Sequence, residues 1–291
     1  MKVTHRIKKL SIPYFFIAPC ALLIGSILLY PLARGIVSSF YNVNLLIPVP
    51  PKFVGLENFI RLFRDSSFWT ALTNSIIWTV VILIVQMAGG LGVALLLNQK
   101  IKGRRFFRSL ILIPWVIPAA IGAITWRWIY AEQYGLLNFI LYRLHIIDHY
   151  KAWLAEPSFV LPAVIVVAIW KGIPFVTIVL LAGLQSIPQT LYEAARIDGA
   201  GAFQMLLRIT LPLVRNIALI VALLTSIWTF NHFETVQIMT RGGPGTATLL
   251  MPIYAYKLFL ESFQISYAST LATAMLGLMM VLAYFYVRRL M

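Results

Sequence analysis

Two short stretches place residues able to bind a polar solute inside segments that are otherwise apolar. "IWKGIPF" carries Trp170, Lys171, Gly172 and Phe175, and "TSIWTFNHFE" carries Thr225, Ser226, Trp228, Thr229, Asn231, His232 and Glu234. Aromatic rings suit the apolar faces of a pyranose, while amides and hydroxyls suit its OH groups, so the mixture favours a carbohydrate over an apolar solute. The chemistry on offer is binding, not bond making. The chain holds no GxxxxGK[ST] phosphate loop and no catalytic or metal-ligand constellation, since Cys20 is the single cysteine and His232 lacks neighbours at ligand spacing. Each candidate has a plainer role beside it. Lys171 faces the solute, satisfies backbone freed where Pro174 cannot bond the Trp170 carbonyl, or reaches a counter-charge such as Glu234. Trp228 and Asn231 either line a pathway or pack. His232 is expected to make an ordinary hydrogen bond, and Trp115, Trp126, Trp128 and Trp153 to anchor helices at the membrane interface.

A second stretch, "EAARIDGAGAFQMLLRITLP" (193–212), is a polar island between apolar segments and holds two of the nine acidic residues. Thr190 to Glu193 fits a capping box that opens a short helix, with Ala194 and Ala195 keeping it slim enough for close approach by a partner. Asp198-Gly199 should close that helix, because glycine takes the left-handed conformation readily, and "AFQMLLRI" should resume it until Pro212 opens the next apolar segment. The result is a helix, a turn and a helix; the alternative is an amphipathic linker lying on a membrane.

The elements that must hold these stretches are membrane helices. The chain has 291 residues, 60% hydrophobic and 11% charged, with mean hydropathy +0.86, far more apolar surface than one soluble core could hide. Six crossings are read, approximately 11–33, 71–97, 109–130, 158–184, 212–236 and 262–287, each long enough for a bilayer. The first is a retained helix, not a signal peptide, because Leu10 to Ala33 is uncharged and too long for an h-region. Lys2, Arg6, Lys8, Lys9, the "QKIKGRRFFR" loop, Arg196, Arg208, Arg215, Arg288 and Arg289 fall on one side, and seven of the nine acids fall on the other. Both termini and the island are therefore expected to be cytoplasmic. The formal charge of +15 lies in short runs between apolar segments, which suits anionic membrane lipids and not nucleic acid. Small residues in "MAGGLGVALL" and at Ala268, Ala272 and Thr273 allow close helix packing, within the chain or against another subunit.

The island resembles the cytoplasmic signature of the membrane subunits of binding-protein-dependent ABC importers. That signature is Glu-Ala-Ala, three residues, Gly, nine residues, Ile, one residue, Leu-Pro, and Glu193, Ala194, Ala195, Gly199, Ile209, Leu211 and Pro212 match each fixed position. "FVGLENFIRLF", "GRRFFRSLILIPWVIP", "LAGLQSIPQTLYEAARIDGA" and "TRGGPGTAT" resemble the sugar-type branch, so the likeness runs from about residue 12 to 288. It implies an all-α polytopic permease, residues 1–291 as one transmembrane domain, in a bacterial or archaeal cytoplasmic membrane. A helix-turn-helix coupling loop, about 188–211 and including Asp198, would dock on a separate cytoplasmic ATPase dimer that binds ATP and magnesium. The subunit itself would hold no cofactor and hydrolyse nothing. Its other implied partners are a second related permease and an extracytoplasmic sugar-binding protein, which Gly242 to Pro244 would touch unless they form a plain turn. The external segment 34–70 is too short for the large periplasmic domain that some members insert. A neutral di- or oligosaccharide is the expected cargo because no intramembrane arginine cluster is present, with glycerol-phosphate import by the same architecture as an alternative. An ion-coupled secondary transporter would need inverted repeats and embedded carboxylates, and a membrane enzyme a catalytic cluster; neither pattern is evident.

Overall fold

The computed structural model describes residues 16–43, 50–99 and 101–290. The first five residues of the expected first crossing, the basic N-terminal run and Lys100 lie outside them. The chain divides into one unit of Met1–Asp65 with Ala255–Gly277 and a second of Ser66–Tyr254 with Leu278–Met291.

In the first unit, α1 (Phe16–Ser38) is apolar and exposed throughout most of its length, as a lipid-facing helix should be. A short antiparallel pair follows, β1 (Tyr41–Asn42) with β2 (Lys52–Phe53), and then α2 (Glu57–Arg64). Asn58 of α2 pins the junction of α1 and β1: its Nδ2 donates to the Ser39 carbonyl at 2.9 Å and to the Tyr41 carbonyl at 2.8 Å. The same unit contains the first half of α12 (Ile265–Leu290), where Tyr267 donates to Asp65 at 2.7 Å and carries Arg61 over its ring.

In the second unit, α3 (Ser66–Asn98) buries Phe68, Ala71, Ser75, Trp78, Ile82, Gln86, Gly90, Ala94 and Leu97, one stripe at helical spacing. The stripe packs along α7 (Pro157–Gln185), whose most apolar window is half buried against 28% for α3. Gln86 meets Ala168, and Gly90 meets Val176, so the two helices run parallel. A Cβ on Gly90 would lie 2.7 Å from Val176 Cγ1, which is why this close approach carries glycine. The third crossing, expected as one helix over 109–130, is instead two: α4 (Arg104–Val116) and α5 (Ala119–Ile129), bent by 92°. Pro118 has no N–H to continue α4 and holds Ile117 extended at φ −59°, ψ 128°. A short helix α6 (Leu136–Arg143) follows, fixed by Asn138, which donates to the Lys151 carbonyl at 2.9 Å and accepts from Trp153 at 2.8 Å.

After α7 come α8 (Gln189–Ile197), α9 (Ala202–Met205) and a π-helical turn, Leu206–Thr210, that runs into α10 (Leu211–Phe230). The fifth crossing, expected to reach 236, breaks at 231–233 and restarts as α11 (Glu234–Met239), which packs on α5. At the end of α10 the Asn231 Nδ2 and its backbone N–H both donate to the Ile227 carbonyl, at 2.9 and 3.2 Å. Among the described residues, five helices are long and apolar enough to cross a bilayer, and the bent pair, counted as one span, makes six.

Candidate functional site

Ala168 to Phe175 on α7 is where α3, α4, α5 and α10 converge. From α3, the Gln86 Nε2 donates to the Ala168 carbonyl at 2.9 Å, and its amide lies in the space a Gly172 side chain would take. From α4, Trp115 stacks on Phe175 with ring centroids 6.3 Å apart. From α5, Trp126 meets Trp170 edge on at 5.6 Å. From α10, Trp228 meets Phe175 edge on at 4.9 Å. The Lys171 Nζ donates to the Ile117 carbonyl at 2.6 Å, in the break between α4 and α5. Its hydrogen-bond partner is thus backbone freed in the neighbouring crossing and not a carbonyl of its own kinked helix, while Glu234 acts on its charge through space.

Of these side chains, Gln86, Trp115, Lys171, Phe175 and Trp228 line a cavity of about 170 Å³. Of the residues expected from sequence, Lys171, Gly172, Phe175, Thr225, Trp228, Thr229 and His232 face it. Four do not. Trp170 packs toward α5, and Ser226 bonds the Ala222 carbonyl of its own helix at 2.7 Å. Asn231 caps α10, and Glu234 opens α11. His232 makes the ordinary bond expected of it, 2.8 Å to Thr235, and its ring lies 5.6 Å from Trp78. Trp78, whose Nε1 donates to the Thr229 carbonyl at 3.0 Å, also lines the cavity, as do Ile82, Gln86 and Trp115. Trp115 therefore lines the cavity, and Trp153 is engaged by Asn138. Gln86 had a legible signal, a lone amide in an uncharged apolar run. An aromatic cavity with one ammonium, one amide and two hydroxyls can hold a polyhydroxylated ring while leaving its covalent bonds untouched.

The island forms a second surface. Helix α8 closes at Ile197 with Gly199 left-handed at φ +77°; Gly199 N–H bonds the Arg196 carbonyl at 3.1 Å and Ala200 N–H the Ala195 carbonyl at 2.8 Å, the paired pattern of a glycine-terminated helix. The expected capping box at Thr190–Glu193 does not form. Pro188, at φ −59° and ψ 131°, occupies the N-cap position, so Thr190 and Glu193 lie inside the helix and Glu193 is exposed. A reciprocal bond appears at α9 instead, Gly201 N–H to Gln204 Oε1 at 3.1 Å. Tyr192, which the sequence did not single out, ties α8 to the π turn through Thr210 at 2.9 Å. Around the turn, Ile197 is 87% exposed and Phe203 70% exposed. Ala194, Asp198, Leu211 and Pro212 are exposed as well, with Ala195 and Ile209 half-buried. At the other end of α11, the 240–248 loop is held from within: Thr240 and Thr248 hydroxyls are 2.7 Å apart, and Asn74 on α3 donates to the Thr246 carbonyl at 3.0 Å and the Leu249 carbonyl at 3.2 Å.

Residues 86–291 match the family described as binding-protein-dependent transport system inner membrane component. Among curated relatives, the chain is 34% identical over 272 residues to the sulfoquinovosyl glycerol transport system permease protein SmoG of Agrobacterium fabrum, covering 94% of this chain and 88% of that one. It is 35% identical over 289 residues to the trehalose/maltose transport system permease protein MalF of Thermococcus litoralis, covering 99% and 96%. In fold it is similar to a chain of a bacterial ABC transporter involved in the import of the acidic polysaccharide alginate, with TM-score 0.83 at 23% identity over 99% of this chain and 98% of that chain.

Proposed function

The chain belongs to the family of binding-protein-dependent transport system inner membrane components, and from that membership we propose that it forms one permease half of an ATP-driven importer for a di- or oligosaccharide. The observation that carries the coupling part of this reading is the island: Ile197 and Phe203 present large apolar side chains on both sides of a glycine-closed turn. Such a pair on an extramembrane loop fits the cleft of another protein, since exposed apolar groups gathered in a polar setting gain most from being covered. In this reading α8 and α9 dock on a separate cytoplasmic ATPase dimer. ATP and magnesium are bound there, and this chain hydrolyses nothing. Both termini lie on the same side as the island.

The aromatic cavity beside Lys171 serves as this subunit's part of the pathway, completed by a second related permease and fed by an extracytoplasmic sugar-binding protein. Support for a carbohydrate comes from the ring-and-hydroxyl lining together with the glycosidic cargoes in the names of relatives: sulfoquinovosyl glycerol and trehalose/maltose. The test is reconstitution with the co-purifying subunits, followed by uptake of a sugar panel with and without ATP. ATP-dependent uptake of a di- or oligosaccharide is expected. Uptake that survives ATP depletion, in a complex lacking an ATPase, would replace this reading with an ion-coupled carrier.

A further inference from the structure

Trp170, Lys171 and Phe175 lie within six consecutive residues of α7, and each meets a different part of the broken third crossing. Phe175 holds α4 through Trp115, Trp170 holds α5 through Trp126, and between them Lys171 reaches the break itself. The Ile117 carbonyl it bonds belongs to neither helical ladder. Helix α4 ends at Val116, and the first bond of α5 runs from Gly122 N–H to the Pro118 carbonyl at 3.0 Å. A carbonyl left open at membrane depth is costly, and so is an ammonium. A neutral amide could close the same carbonyl without the cost of the charge. What the ammonium adds is a stronger, shorter bond to one fixed atom, whereas stacked rings alone can slide over one another.

Helix α7 is joined to the island through Ser186 to Pro188. At the cytoplasmic-side end, with the Gln185 amide turned so that its oxygen faces them, Arg104 and Arg108 of α4 both donate to it. Beyond the break, α5 packs on α11, and Arg127 donates to the Ile238 carbonyl at 3.2 Å. A contiguous path therefore runs from the island along α7, across the Lys171 bond into α5, and through α11 to the 240–248 loop. We propose that Lys171 is a positioning residue for transport: it makes the break in the third crossing follow α7, so that displacement of the island is delivered to α5 and α11. This inference rests on the ATPase-coupled reading above.

The test uses the complete reconstituted transporter, the permease pair with its ATPase and loaded binding protein. Lys171→Met, Lys171→Gln and Lys171→Arg are each placed in a Cys20→Ser background carrying Ile124→Cys on α5 as a single thiol reporter. Two quantities are read: ATP hydrolysed per sugar imported, and the change in labelling rate of the reporter between nucleotide-free and nucleotide-trapped states. Removing a charged hydrogen bond at this point should raise ATP per sugar by about tenfold in Lys171→Met and flatten the labelling change. Lys171→Gln should fall between, and Lys171→Arg should restore both. Parent-like values for both quantities in Lys171→Met overturn the proposal, as does a Lys171→Arg complex that assembles and restores neither. Should Lys171→Met not assemble, the comparison of Gln with Arg decides in the same way. A parent complex that imports no sugar with ATP shows its failure before any variant is compared; it overturns the importer reading and this inference with it.

Discussion

Gln86 occupies the place of a side chain on Gly172. Its amide bonds the Ala168 carbonyl at 2.9 Å, and a Cβ on Gly172 would collide with it. The glycine in the middle of α7 is thus kept by a residue on another helix. Its ordinary cost in a helix, about 1 kcal/mol relative to alanine, is offset by the bond it makes room for.

Gly172→Ala should therefore displace the amide and leave a buried polar group unpaired, at a cost of about 1–3 kcal/mol, read as a lower melting temperature of the purified complex. In a Gln86→Ala background the same substitution should become neutral or stabilising, because the collision is gone and only helix propensity remains. Additive effects within about 0.5 kcal/mol would show that the two residues are not coupled.

Trp228 and Asn231 separate into different roles. Trp228 faces the cavity against Phe175, whereas the Asn231 amide is spent on the Ile227 carbonyl. Trp228→Ala should lower uptake at subsaturating sugar by about tenfold, through loss of one aromatic wall. Asn231→Ala should stay within about twofold, as substitutions away from a site do. Equal defects in the two variants, measured with matched amounts of assembled complex, would contradict this division.

The contrast shows what can be read along a chain. Gly199 was legible because a helix must close before Pro212 and only glycine sits easily at φ +77°. Crossings were legible because the bilayer demands long uncharged runs. Trp115 and Gln86 were not assigned to the cavity because facing it depends on which helix lies opposite, and that follows from packing of α3, α4 and α7. The break at Ile117 was signalled by Pro114 and Pro118, yet a proline in an apolar run does not say whether a helix kinks or stops. The capping box failed on one residue. Pro188 started α8 two positions early, which put Thr190 inside the helix, where its hydroxyl no longer caps.

The 240–248 loop should be as rigid as its anchors. Asn74 on α3 supplies two of them, to the Thr246 and Leu249 carbonyls. Asn74→Ala removes both and leaves those carbonyls to water, so amide hydrogen exchange over 242–250 should speed up by about tenfold while exchange in α3 and α7 holds. Unchanged protection would mean that the Thr240–Thr248 pair, 2.7 Å apart, is sufficient to hold the loop.

Gly199 and Glu193 test the island itself. A β-branched side chain at a left-handed position costs about 1 kcal/mol or more, and Gly199→Val has open space around it, so the penalty is conformational and not steric. Relief would come from reopening the turn, which redirects α9 and moves Phe203 away from Ile197. Glu193→Lys reverses an exposed charge one helical turn before Ile197 and leaves the backbone alone. Both variants should insert and assemble, because a side chain at Gly199 meets nothing within 4 Å and Glu193 is exposed. Both should lose most of the ATP hydrolysis that loaded binding protein stimulates, and sugar uptake with it. Near-normal stimulation and uptake in the two variants together would make the island a passive linker between α7 and α10.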